Sequence, residues 1–85
     1  MCIRDRFKSS VIFSKDNLLN FLTRLEAIRV KAIIISEEGI FGLNISNDNI
    51  NESSFDEAIE SRIEIISDNI DESWESELLN CFEIQ

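Results

Sequence analysis

The residues that most often carry out chemistry in proteins are scarce in this chain. None of its 85 residues is His, so the usual general base and the commonest metal ligand are missing. Its two cysteines, Cys2 and Cys81, cannot form a four-cysteine zinc site or a disulfide framework. Two glycines, Gly39 and Gly42, are too few for a phosphate-binding loop or a dinucleotide fingerprint. The sequence therefore predicts a protein that is not an enzyme and that has no cofactor and no metal site.

The remaining reactive or recognition-type side chains are better explained by structure than by chemistry. Glu37 and Glu38 are adjacent and fit a solvated turn, where they are poorly placed to share a proton. Cys81 is expected to be a small apolar residue of a helix rather than a nucleophile. Trp74 could recognise a ligand, but an aromatic residue that anchors the last helix is the commoner arrangement.

Basic and acidic residues are unevenly distributed along the chain. The net charge is −9, yet residues 7–31 hold five bases and two acids, a balance of +3. Residues 32–85 hold Arg62 against fourteen acids, a balance of −13. The basic segment could attract phosphates while the rest repels them. The simpler alternative is that these Lys and Arg residues only solvate the outer face of a helix.

One small α+β domain must position these side chains. A β-branched and aromatic run predicts a strand over residues 7–13. Ser14 follows it where a helix N-cap is expected. Apolar residues at positions 18, 21, 22, 25 and 28 then form one stripe of an amphipathic helix over residues 15–28.

A hairpin is the clearest feature of the middle of the chain. Residues 30–36 are strongly apolar, and residues 40–46 alternate in polarity. Gly39 lies between them and can adopt a positive φ, so a tight turn is predicted. Residues 47–54, which follow the hairpin, form a polar segment that the sequence assigns to no element.

The last third of the chain is predicted from weaker signals. Residues 55–62 could form a short helix in which Ser54 and Glu57 make a capping box, or they could be a connection between strands. The other predicted elements are a strand over residues 62–67, an optional strand over 70–74 and a helix over 75–84.

The two ends of the chain point to a sequenced piece of a longer gene. Residues 1–6 (Met-Cys-Ile-Arg-Asp-Arg) match one reading frame of the transposase adapter used for sequencing libraries. We therefore expect them to be an assembly scar on an environmental gene fragment, outside the domain formed by residues 7–85. The final helix reaches Gln85 without a cap, which predicts truncation there. The longest apolar run, residues 32–35, is far shorter than the roughly 20 residues of a membrane-spanning helix, so a soluble intracellular protein is expected.

Three stretches of sequence match motifs of one known family. Residues 16–28 have Leu-rich helical spacing and follow a strand that begins at Phe7, and residues 36–40 read Ser-Glu-Glu-Gly-Ile. At this spacing the chain resembles the sliding clamps, the PCNA-like superfamily. Residues 78–84 (Leu-Leu-Asn-Cys-Phe-Glu-Ile) are similar to the second helix of the Rad-one subunit of the eukaryotic DNA-damage checkpoint clamp.

The clamp resemblance implies a fold, partners and contact residues. The fold would be half of a clamp domain, β-α-β-β-(β)-β-β-α, with both helices on one face of an antiparallel sheet. The protein would be a nuclear, non-enzymatic subunit of a heterotrimeric ring with two other clamp subunits, acting in checkpoint signalling and repair without a small-molecule substrate. Double-stranded DNA would pass through the ring, and its phosphates would be contacted independently of sequence. The expected contact residues are Lys15, Asn20, Arg24 and Lys31.

Two other functions stay open from the sequence. Residues 32–46 are similar to the acylphosphatase-like N-terminal domain of rhodanese-type tRNA uridine hydroxylases, and that alternative needs a helix over residues 55–62. The third possibility is an acidic α+β domain that acts through a protein partner.

Overall fold

Five strands and two helices make up the described part of the chain. The computed structural model describes residues 2–25, 28–46, 49–68, 73–79 and 81. The elements in chain order are β1 (Cys2–Lys8), α1 (Lys15–Arg24), β2 (Arg29–Ser36), β3 (Gly39–Ser46), β4 (Asn49–Phe55), β5 (Glu60–Ile66) and α2 (Ser73–Leu79). None of the described helices is long and apolar enough to span a membrane.

The strands form one antiparallel sheet in the order β1-β5-β2-β3-β4. Strands β2, β3 and β4 follow one another as hairpins, whereas β5 returns to lie between β1 and β2. The alternation of β5 shows which of its sides faces the core, because Ser61, Ile63 and Ile65 are buried whereas Arg62 is exposed. The predicted α+β class is therefore confirmed, with a single five-stranded sheet.

The hydrophobic core lies on one face of the sheet, beneath the helices. Alternate residues of β2, namely Val30, Ala32 and Ile34, point to this face, as do Phe41 and Leu43 of β3. Helix α1 covers them with Leu18, Phe21 and Leu22. Burial of each such large apolar side chain contributes about 1.5–3 kcal/mol relative to exposure, so this layer supplies most of the stability of a small domain.

Helix α1 begins as predicted and ends earlier. The Ser14 hydroxyl accepts a hydrogen bond from the Asn17 amide at 3.5 Å, which confirms the predicted N-cap. The helix ends at Arg24 instead of continuing to residue 28, and Leu25 is extended. The Ile28 amide donates to the Ile66 carbonyl at 2.8 Å, so this residue already follows the sheet and its side chain is exposed.

The first strand lies nearer the N-terminus than residues 7–13. Strand β1 pairs with β5 from Cys2 to Lys8, so residues 2–6, expected to lie outside the domain, take part in the sheet. The apolar run that follows forms only a single parallel bridge, between Phe13 and Ser36. Phe13 is nevertheless fully buried, and its ring meets that of Phe7 edge-on at 5.1 Å between centroids. The sequence predicts a strand over this run because core burial and strand pairing favour the same residue types.

The polar middle segment is a strand, and the helix predicted over residues 55–62 is absent. Strand β4 pairs with β3 along its whole length, up to and including Phe55, and the chain bends before β5 begins at Glu60. Ser54 pairs with Phe41 in the ladder and forms no helix cap. Strand β4 is at the edge of the sheet with every residue exposed, so it lacks the apolar alternation by which strands are predicted.

The C-terminal helix starts earlier than residue 75. Helix α2 covers Ser73–Leu79. Residues 73 and 74 of the optional strand predicted over 70–74 are therefore helical, whereas residues 70–72 lie outside the described residues. Trp74 is half-buried against the core, as expected of an anchor. Cys81 is buried, as predicted for a small apolar residue. The end of the predicted helix, residues 82–84, lies outside the described residues.

Candidate nucleic-acid interface

The four residues expected to contact DNA lie on opposite sides of the sheet. Lys15, Asn20 and Arg24 belong to α1, on the helix-covered side. Lys31 belongs to β2 and alternates with the buried Val30 and Ala32, so its side chain points to the other side. One flat or cylindrical ligand surface cannot contact all four.

Lys15 is engaged within the protein. Its ammonium nitrogen lies 2.9 Å from a carboxylate oxygen of Glu52 and 5.0 Å from the centre of the Phe41 ring. The hydrogen bond to Glu52 raises the pKa of Lys15 above its ordinary value. The Lys15 backbone amide is held too, because it donates to the Glu37 carboxylate at 3.1 Å. Lys15 therefore links the start of α1 to the edge strand β4. Its ammonium group would have to leave Glu52 before it could contact a phosphate.

Asn20 and Arg24 lie beside a shallow depression between α1 and α2. The Asn20 carbonyl accepts a hydrogen bond from Arg24 Nε at 3.0 Å. The depression has a volume of about 670 Å³, and Glu77 of α2 also lines it. Of the described residues that line it, Arg24 supplies one guanidinium and Glu77 one carboxylate, which together leave little net attraction for a phosphate.

The opposite side of the sheet is where the positive charge collects. We call it the open face; it consists of the outward-pointing residues of all five strands, and neither described helix packs on it. Of the eight Lys and Arg residues in the chain, six lie on this face, and they are accompanied by two acids. The six bases are Arg4, Arg6, Lys8, Arg29, Lys31 and Arg62, and the two acids are Glu60 and Glu64.

Strand register brings these bases together from distant parts of the sequence. Arg6 pairs with Arg62, which pairs with Ile33 of β2, so three neighbouring strands contribute to one row. In the next row Arg4 pairs with Glu64, which pairs with Lys31. With strands about 4.8 Å apart, the basic part of the face is roughly 10 Å across.

The two carboxylates on the open face do not neutralise it. Glu60 lies 2.6 Å from Arg62 Nε and 3.5 Å from Arg6 Nε, and Glu64 lies 3.3 Å from Arg4 Nε. Within the described residues no ion pair involves Lys8, Arg29 or Lys31. Two carboxylates thus share three arginines, and the three further cations have no acidic partner in the part of the chain that the structure describes, which gives the strands of this face a surplus of positive charge.

The other half of the open face is uncharged and contains an exposed aromatic residue. Phe55 of β4 is 45% exposed, and its ring lies over Gly42 of β3. Ile33, which pairs with Gly42, is 37% exposed. Together with the basic residues this half lines a groove of about 490 Å³. Asn44 borders the same groove, and its buried Oδ1 accepts no hydrogen bond from the described residues.

Sequence reasoning missed most of this face. The sequence alone places Arg4 and Arg6 in the expected adapter scar and Arg62 in the acidic part of the chain. The alternation of Arg62 with Ile63 and Ile65 places it opposite the core, and that signal was available. Which bases of β1, β5 and β2 lie next to one another could not be predicted without knowing the pairing register of these strands.

The described residues contain no cluster of three or more His, Cys, Asp or Glu side chains close enough to hold a metal ion. Comparisons of the chain with protein families, with curated proteins and with solved structures find no match.

Proposed function

We propose that this chain is a non-enzymatic nucleic-acid-binding module that contacts the phosphate backbone, independently of sequence, through the open face of its sheet. The observation that carries the proposal is the collection of six of the eight bases on that face. Lys and Arg side chains that meet phosphates position a protein on nucleic acid without reading bases. A surface with cations and no catalytic group suits that task.

The net charge of −9 does not oppose this proposal. At physiological salt the screening length is about 8 Å, whereas the shortest dimension of the molecule is 20 Å. Acids on the helix side, such as Asp16, Glu52 and Glu77, are therefore largely screened from a phosphate held against the open face. The local surplus of cations, rather than the total charge, decides whether binding occurs there.

A finer form of the proposal is that the module is half of a nuclear clamp domain that encircles duplex DNA. It is supported by the element order β-α-β-β-β-β-α and by core packing of Leu18 from α1 and Trp74 from α2 on the same side of the sheet. This form requires α1 to face DNA, and the pairing of Lys15 with Glu52 works against that contact. The acylphosphatase-like alternative is not favoured, because residues 55–62 form no helix.

A comparison of two charge-matched variants tests which side binds. The first, Arg29→Gln with Lys31→Gln, removes two open-face cations that have no ion pair among the described residues. The second, Lys15→Gln with Arg24→Gln, removes two cations from α1 and changes the net charge equally. Binding to a fluorescent duplex and to one of its strands is measured by anisotropy at about 50 mM and about 200 mM salt.

We expect the open-face variant to bind more weakly at both salt concentrations and to lower the salt slope by about one unit per cation removed. The α1 variant should bind as the parent protein does. The reverse result would support the clamp arrangement and overturn our assignment of the surface. Absence of binding to either probe by a protein that is folded by circular dichroism would leave the acidic protein-interaction domain as the remaining explanation.

A further inference from the structure

Phe55 is placed on the open face where a ligand can reach it. The residue ends β4, and its ring occupies the space above Gly42 on the neighbouring strand. A Cβ atom at position 42 would lie 2.4 Å from Cε2 of the ring, so glycine is what allows the ring to lie across β3. Phe55 is nevertheless 45% exposed, so a large part of the ring remains accessible.

The neighbours of this ring change from apolar to basic across the sheet. Gly42 pairs with Ile33, and Ile33 pairs with Arg62, so an aromatic ring, an apolar side chain and a guanidinium follow one another. Lys31 lies two residues from Ile33 on the same side of β2. Two strand spacings, about 10 Å, separate Gly42 from Arg62, a distance that one nucleotide and a long basic side chain can bridge together.

We infer that the open face binds single-stranded nucleic acid, with a base stacked on Phe55 and the adjoining phosphates at Lys31 and Arg62. The inference rests on the proposed function and names its substrate class. In a duplex the faces of the bases are stacked on one another, so a duplex could use the cations of this groove but not its ring. A single strand exposes base faces, and stacking on an aromatic side chain tolerates any base.

Three probes of equal length separate stacking from charge. They are an oligothymidylate of about 12 nucleotides, an abasic deoxyribose-phosphate strand and a duplex, each fluorescently labelled. The protein variants are Phe55→Ala, Phe55→Leu and Phe55→Trp. Ile59→Ala is the control, because this residue is 85% exposed in the connection between β4 and β5 and its loss removes an apolar side chain away from the strands.

We expect Phe55→Ala to weaken binding of oligothymidylate by about five- to a hundredfold, the range found for loss of one stacked base. Phe55→Leu should be equally weak, since it covers Gly42 without an aromatic face, whereas Phe55→Trp should restore binding. Binding of the abasic strand and of the duplex should change less than about twofold in every variant. The Ile59→Ala control should bind all three probes as the parent protein does.

The outcomes distinguish the inference from the function on which it rests. If the parent protein binds none of the probes, the proposed function itself is wrong. If it binds the abasic strand as tightly as oligothymidylate, or if Phe55→Leu binds as the parent does, the open face is a phosphate surface and stacking on Phe55 is rejected. Thermal unfolding followed by circular dichroism identifies any variant whose weaker binding reflects loss of folding.

Discussion

At the scale of single residues, Cys81 forms hydrogen bonds that connect the chain after α2 to the start of α1. Its carbonyl accepts a hydrogen bond from the Ser14 amide at 2.7 Å, and its thiol lies 3.6 Å from the Asn17 carbonyl. The side chain is only 4% exposed. Burial raises the pKa of the Cys81 thiol above its ordinary value of 9.0, and Glu77 adds to this effect while Arg24 opposes it.

The raised pKa of Cys81 makes stability depend on pH in the alkaline range. Above pH 9.0 the unfolded chain loses this thiol proton before the folded chain does, so the stabilisation present below pH 9.0 is lost as the pH rises through the folded pKa. The raised pKa of Lys15 acts in the same direction above pH 10.5. We expect the free energy of unfolding in urea to fall between about pH 8 and about pH 10, and to fall less steeply in Cys81→Ala. The exposed Cys2→Ala variant is the control, and equal slopes in all three proteins would show that Cys81 does not cause the loss.

At the scale of elements, the β2–β3 hairpin was predictable, whereas the two edge strands of the sheet, β1 and β4, were not. Buried β-branched residues before a turn glycine specify the hairpin locally, and Ser14 marks the start of α1 in the same way. Strand β4 carries no comparable signal because both of its sides face solvent. Strand β1 was missed because Phe13 supplies core volume beside β2 without belonging to a strand. The open face depends on both missed strands, so it could not be assembled from the sequence.

The turn between β2 and β3 requires glycine at one position. Gly39 has φ of +118°, a conformation that L-residues rarely adopt, and its carbonyl accepts a hydrogen bond from the Ser36 hydroxyl at 2.7 Å. We expect Gly39→Ala to lower the free energy of unfolding by about 1–3 kcal/mol, measured by urea denaturation. Gly42→Ala is the matched control, because only the end of the Phe55 side chain opposes the new methyl group. If Gly42→Ala costs as much stability as Gly39→Ala, the strain at position 39 is not what distinguishes them.

At the scale of the whole molecule, the two edges of the sheet differ in how well they resist pairing with another chain. Strand β1 carries Arg4, Asp5 and Arg6 in succession along its edge, and such charges discourage further strands. Strand β4 has fewer charges, and its Ile50 and Phe55 are exposed. The unprotected edge is therefore β4.

This difference predicts self-association through β4. We expect the average mass, measured by sedimentation, to rise with protein concentration in the micromolar range. Ile50→Lys should keep the protein monomeric, since it places a charge on the free edge. Ile59→Lys adds the same charge to the β4–β5 connection and should leave the association unchanged. A parent protein that stays monomeric throughout, or an Ile59→Lys variant that is equally monomeric, would show that β4 is not the contact.

The separation of charge across the sheet also bears on how the molecule approaches a large anion. Cations occupy the open face, while Asp16, Glu52 and Glu77 lie on the side of the helices. Among the described residues, positive charge therefore collects on one side of the sheet and negative charge on the other, so the field of a polyanion would turn the molecule before contact. It would arrive with the strands first and leave both helices facing outward. Several copies of the protein bound to one nucleic acid would then share one orientation. Each copy would present Trp74 and the acidic surface of its helices to other proteins in solution.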